Sequence, residues 1–263
     1  MITKHLTGAA SAALILTVAT VSAHAAEVKV LSAVGMRQVM LELGPRFERA
    51  TGHTLTITFD STGLLARRIA SGEPVDVVLI NRSAMENLDK TGNVVTGSVV
   101  DVASSVAAVG VRKGARPDVS SPEAFKRLLL SARSIARPSP AVGGSSADHI
   151  VKVLERLGIA DEVNSKSVIV TTGHPGQVAK SPGDAVAKGK ADIALHQLQE
   201  LMAVPGIDIA GPFPGELQGN FSFSAAIGTT ARAADAGRAI IEYLRTPDAK
   251  SVIRSRGMQA VAP

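Results

Sequence analysis

The chain has 263 residues, 45% of them hydrophobic and 3% aromatic, with neither cysteine nor tryptophan. That length holds two domain-sized units with cores large enough to stand without disulfides, and the missing cysteines exclude a lipid anchor on cysteine and any thiolate metal site. The formal charge of +5 comes from scattered rather than blocked Lys and Arg; with so few aromatics and no basic-aromatic stacking platform in the sequence it argues against nucleic acid, leaving a small anion or a solvated surface.

Residues 1–25 have the pattern of a cleavable secretory signal. Lys4 and His5 lead, an apolar run extends from Gly8 to Val21, and Ala23-His24-Ala25 supplies the small-x-small cleavage site. The run is too short and too diluted by Ala, Thr and Ser for a membrane anchor, so the fold is expected to start at Ala26.

From Glu27 short β-branched runs alternate with amphipathic stretches, the pattern of an α/β fold with a mainly parallel sheet covered on both faces. The spacing predicts a strand over Val28–Val34 and a helix over Met36–Ala50, interrupted near Pro45. A strand over Leu55–Phe59, a helix over Leu64–Ala70, a turn at Gly72-Glu73-Pro74 and a fully apolar strand over Val75–Ile80 follow. Val102–Val111 is a long apolar segment able to carry the chain out of the first unit. Ser121-Pro122 opens a helix as cap and first-turn proline. The second unit then contains strands at Ser134–Ala136, Ser167–Thr171 and Ala191–Leu195, and a helix over Ser146–Leu157 closed by Gly158. Phe221–Ile227 is a return strand. Helices over Ala231–Leu244 and Pro247–Arg256 end the chain.

Four stretches carry a resemblance: Ala26–Ala33, Phe47–His53, Ser61–Ala66 and Gly72–Val78 are similar to the periplasmic molybdate-binding proteins of ABC importers. The resemblance implies a two-lobed type II periplasmic binding protein fold with the ligand cleft at the hinge. It puts lobe 1 in 26–108 and 223–263 and lobe 2 in 109–222. It also implies a small anionic ligand, an ABC permease as partner, a monomer, and no insertion into a membrane. Two positions depart from that family, which carries a hydroxyl residue where this chain has Gly35-Met36 and a tyrosine where it has His196-Gln197; the serine motif survives as Ser61-Thr62-Gly63. Leu195–Leu201 and Val204–Ile209 also resemble a branch that contains the periplasmic aconitate isomerase.

Helix N-termini attract anions because free N–H groups and the positive dipole end coincide there. Gly35-Met36, Ser61-Thr62-Gly63 and Gly143-Gly144-Ser145-Ser146 are such points at the ends of strands or the start of a helix, although the same residues also serve as ordinary caps. Arg82 and Arg137, each at a strand end, are the arginines placed to counter ligand charge, with a solvated surface role as the alternative. His174, in Gly173-His174-Pro175-Gly176, and His196 with Gln197, just past a strand, are the remaining polar cleft candidates. No nucleophile elbow, Walker loop, dinucleotide fingerprint or HExxH pair is present, so neither a cofactor nor a metal is nominated. Two functions stay open: capture of an oxyanion or a di- or tricarboxylate for import, or isomerisation of trans- to cis-aconitate by proton transfer, with His196 as the catalytic group.

Overall fold

The computed structural model describes residues 25–171 and 180–261. Residues 1–24 of the expected signal, and His174, lie outside them. In the first half of the chain come β1 (Glu27–Ala33), α1 (Arg37–Thr51), β2 (Thr54–Asp60), α2 (Thr62–Ala70), β3 (Val77–Asn81), α3 (Arg82–Lys90), β4 (Val100–Arg112) and α4 (Pro122–Ser131). The second half has β5 (Ile135–Pro138), α5 (Ser145–Arg156), α6 (Ala160–Ser165), β6 (Ser167–Val170), α7 (Pro182–Ala187), β7 (Ile193–Gln197), α8 (Leu198–Met202) and β8 (Ile207–Pro212). β9 (Asn220–Ile227), α9 (Ala234–Tyr243), α10 (Pro247–Ser255) and β10 (Gln259–Ala260) complete it.

The strands run in the order β2-β1-β3-β9-β4-β7-β5-β6, with β8 and β10 also on β4. Parallel pairing is confined to the two ends, β2-β1-β3 and β7-β5-β6, and every pairing of β4 and β9 is antiparallel. The sheet is therefore mixed rather than mainly parallel, because the two crossing strands oppose the βα units on either side. β4 changes partners along its length: Val100–Val106 pair with β9, and Ala107–Arg112 pair with β7 and β8. One strand thus belongs to both lobes.

Burial follows from the residue pattern. β3 is buried at all five positions, the burial expected of a strand covered on both faces. In α1 Val39, Met40, Leu43 and Phe47 form the apolar stripe, and Phe47 meets Tyr243 of α9 edge-on at 5.7 Å. Lobe 2 has its own aromatic contact, Phe125 on Phe213 at 4.7 Å. Each such side chain stabilises the fold by roughly 1.5–3 kcal/mol on burial.

Some elements begin elsewhere than the spacing predicts. Met36 does not open α1: a 3-10 turn over Val34–Met36 buries it completely, and the helix starts at Arg37. α1 continues through Pro45 and stops at Gly52, whose φ of 77° gives the left-handed cap. α9 starts at Ala234, not Ala231, because the buried Asp76 carboxylate accepts the N–H groups of Arg232 and Ala233 at 2.7 and 2.9 Å, holding them outside the helix.

Candidate functional site

The C-terminal ends of the parallel strands of both lobes converge on one cavity of about 70 Å³, the place where open α/β sheets hold ligands. Lobe 1 contributes Ala33, Val34 and Gly35 after β1, Ser61 and Thr62 at the start of α2, Asn81 at the end of β3, and Phe223 from β9. Lobe 2 contributes Pro138 and Ser139 after β5, Gly143 to Ala147 at the start of α5, Val170, and the group His196, Gln197 and Glu200.

Each wall is built locally. Ser61 caps α2, its Oγ accepting from Leu64 N at 3.3 Å, and Thr62 Oγ1 donates to Asn81 Oδ1 at 2.6 Å, which fixes the hydroxyl against β3. Opposite, α5 begins at Gly144, which has no side chain with which to cap the helix. The Ser145 Oγ just inside it is buried without a hydrogen-bond partner. Orphan N–H groups and a free hydroxyl therefore meet at the start of a 12-residue helix. The lobes touch directly beside the cavity, where Gly63 N donates to Gly143 O at 3.3 Å.

The floor is a polar network. Gln199 Nε2 donates to Gly35 O at 3.2 Å and to Gln197 Oε1 at 2.8 Å, while Ser105 of β4 donates to Gln199 Oε1. Loop, crossing strand and lobe 2 are thereby joined through one amide. His196 is 6% exposed; its Nδ1 accepts from Gln197 N at 2.7 Å, so the ring proton sits on Nε2, 3.4 Å from Glu200 Oε2. This wall combines an imidazole and a carboxylate, able to accept or relay a proton.

Of the residues nominated from sequence, Gly35, Ser61, Thr62, Gly143, Gly144, Ser145, His196 and Gln197 line the cavity, and Gly63 adjoins it through its bond to Gly143. Met36 faces the core instead. Arg82 is the first residue of α3 and reaches outward, donating to Asp101 at 2.6 Å and Glu86 at 2.9 Å; those bonds, Asp101's first, raise its proton affinity. Arg137 points to the other side of β5 from Pro138, donating to Ser167 Oγ and Asn164 Oδ1, and burial lowers its proton affinity. Its Nη1 is buried without a partner. Ser146, nominated together with Ser145, also lines the cavity, while Asn81, Ser139, Glu200 and Phe223 were not singled out from sequence. Asn81 sits one residue before Arg82 at the same strand end, and Glu200 is one helical turn past His196.

Residues 28–259 match the family model for bacterial extracellular solute-binding proteins. The chain belongs to that family. An aconitate isomerase of Pseudomonas sp. is 34% identical over 239 residues, covering 88% of this chain and 87% of that protein. The molybdate-binding protein ModA of Azotobacter vinelandii is 31% identical over 244 residues, covering 90% and 91%. Among solved structures, the Azotobacter vinelandii periplasmic molybdate-binding protein superposes with a TM-score of 0.72 at 22% identity, over 90% of this chain and 99% of that one. The two-lobed type II architecture, with its cleft at the strands that cross between lobes, is thus the family's own. Among the described residues no helix is long and apolar enough to cross a membrane, and no group of three or more His, Cys, Asp or Glu side chains is arranged to hold a metal ion.

Proposed function

We propose that this protein captures a small anion in the periplasm, closes its lobes over it and delivers it to an ABC permease. The observation that carries this is the start of α5, where an uncapped helix end and the unpartnered, buried Ser145 hydroxyl face the start of α2 across one cavity. Backbone N–H groups and neutral hydroxyls suit an oxyanion, and no Lys or Arg is among the described lining residues. The ligand-binding residues are then Gly35, Ser61, Thr62, Gly143, Gly144, Ser145 and Gln197, and the solute-binding relatives for molybdate support the same class of ligand. Calorimetric titration with a panel of oxyanions and carboxylates tests it. One anion binding at a single site with micromolar affinity or better is the expected result, and heats of dilution alone across the panel would overturn it.

A second reading is favoured by one observation, the His196–Glu200 pair inside the cavity, together with the aconitate isomerase relative. In it the same cleft holds a tricarboxylate while this pair moves a proton along the allylic system. Proton NMR of trans-aconitate in D2O with catalytic protein decides it: cis-aconitate carrying deuterium supports isomerisation, and an unchanged spectrum removes it.

A further inference from the structure

A carboxylate is an unexpected group to find on the wall of an anion site. Among the described lining residues Glu200 carries the one carboxylate; among the described residues no arginine or lysine forms an ion pair with it, and the charged or titratable group it meets is His196. Against a fully deprotonated oxyanion it puts like charge beside like charge, which lowers affinity. Against a ligand that still has an O–H it does the reverse. An ionised carboxylate is an acceptor only, so a ligand hydroxyl turns the repulsion into a short charge-assisted hydrogen bond.

We infer that Glu200 selects anions that carry an O–H group, such as hydrogen phosphate or a hydroxycarboxylate, and rejects tetrahedral oxyanions and carboxylates that have none. This rests on the anion-binding reading above and narrows it. The division of labour follows from the walls. The α5 and α2 N-termini with Ser145 hold the negatively charged oxygens, and Glu200 accepts the one proton the ligand brings. His196 is a positioning residue: its Nδ1 accepts from Gln197 N, and its Nε2 lies 3.4 Å from Glu200 Oε2, close enough to bias where that carboxylate sits. His196 and Glu200 stand four residues apart, from the end of β7 into α8, so the pair forms within one short segment.

The test uses two matched pairs of probes with the purified protein at neutral pH. Hydrogen phosphate and sulfate share a tetrahedral shape and differ in the proton; malate and succinate differ by a hydroxyl. In every pair that binds, the O–H partner binds more tightly by roughly ten- to hundredfold, the value of one charge-assisted hydrogen bond. Glu200→Gln, nearly isosteric and able to donate, collapses that ratio and tightens sulfate and molybdate. His196→Asn lowers the ratio, because Glu200 loses the group that positions it. Selectivity of the unsubstituted protein is read without any variant, so a misfolded variant does not protect the proposal. Equal or tighter binding of sulfate, molybdate or succinate overturns it, as does a Glu200→Gln protein that folds and weakens every anion alike. Binding of no probe at all fails the anion-binding reading first, and this inference with it.

Discussion

Ser145 and Ser61 stand at facing helix starts but do different work. Ser61 Oγ is committed to Leu64 N, and Ser145 Oγ has no partner. Replacing Ser145 with Ala therefore removes nothing that holds the fold together, and relieves a buried polar atom. The expected result is an unchanged or slightly raised Tm with anion affinity lowered roughly tenfold or more, the worth of a hydrogen bond to a charged group, read by melting and titration on the same preparation. Ser61→Ala differs, costing about 1 kcal/mol of stability through the lost cap as well. The contrast shows how far sequence reaches at this scale. Glycine and serine at strand ends and helix starts located a part of the cavity wall in each lobe, because the strand-end rule fixes position along the chain. It does not fix which side of the strand a side chain takes. Arg137 and Pro138 are neighbours, yet Pro138 lines the cavity while Arg137 turns toward Asn164 and Ser167. Arg82 missed by one residue: Asn81 still belongs to β3 and faces in, whereas Arg82 has entered α3 and found Glu86 and Asp101.

Elements are tied to one another by charge as well as by packing. Glu73, in the turn before β3, accepts from Arg68 of α2 and Lys29 of β1, and these bonds, Arg68's first, hold its pKa down to about 2. A carboxylate held below its unfolded value of about 4.3 contributes stability above that pH and loses it as pH falls toward 2. Glu73→Gln should thus be less stable than the parent at neutral pH, with the gap in urea midpoint narrowing as pH drops from about 5 toward 2. A gap independent of pH would mean that packing, not charge, holds this turn. Pro45 offers a second test. It is exposed within α1 and cannot donate the helical N–H, so Pro45→Ala is expected to stabilise by about 1 kcal/mol, less than the full helix-interior cost because alanine also frees the unfolded chain. A calorimetric Tm some 2–4 °C higher would register it. The elements that sequence made visible are the long ones with a clear period or cap. α6, α7 and α8 are five or six residues each, too short to show a helical period, and β8 is half-buried along its length without a clean alternation. The expected lobe boundaries at 108/109 and 222/223 fall inside β4 and β9, the two antiparallel strands between the parallel ends of the sheet.

At the scale of the whole molecule the lobes touch at particular polar points beside the cavity. Gly63 N reaches Gly143 O, and Gln199 spans from the loop at Gly35 to β4 at Ser105. Gly143 is the point where this closeness depends on residue type. Its φ is 69° with ψ 116°, and a Cβ there would lie 3.3 Å from Gly63 Cα. An alanine in that backbone region costs about 1–3 kcal/mol, and the crowding against a backbone atom of the opposite lobe adds to it. The backbone penalty belongs to the loop itself, whereas the crowding acts only while the lobes are together and vanishes once they part. Gly143→Ala should therefore lower the population of the closed form rather than damage a particular contact. Apparent affinity scales with the fraction of protein that can close, so every anion loses affinity by the same factor, about 5- to 100-fold, and their ranking is preserved. Small-angle scattering should show a larger radius of gyration for the variant at an anion concentration that compacts the parent. A change in ranking, with compaction intact, would instead mean that Gly143 acts through its own contact with the ligand.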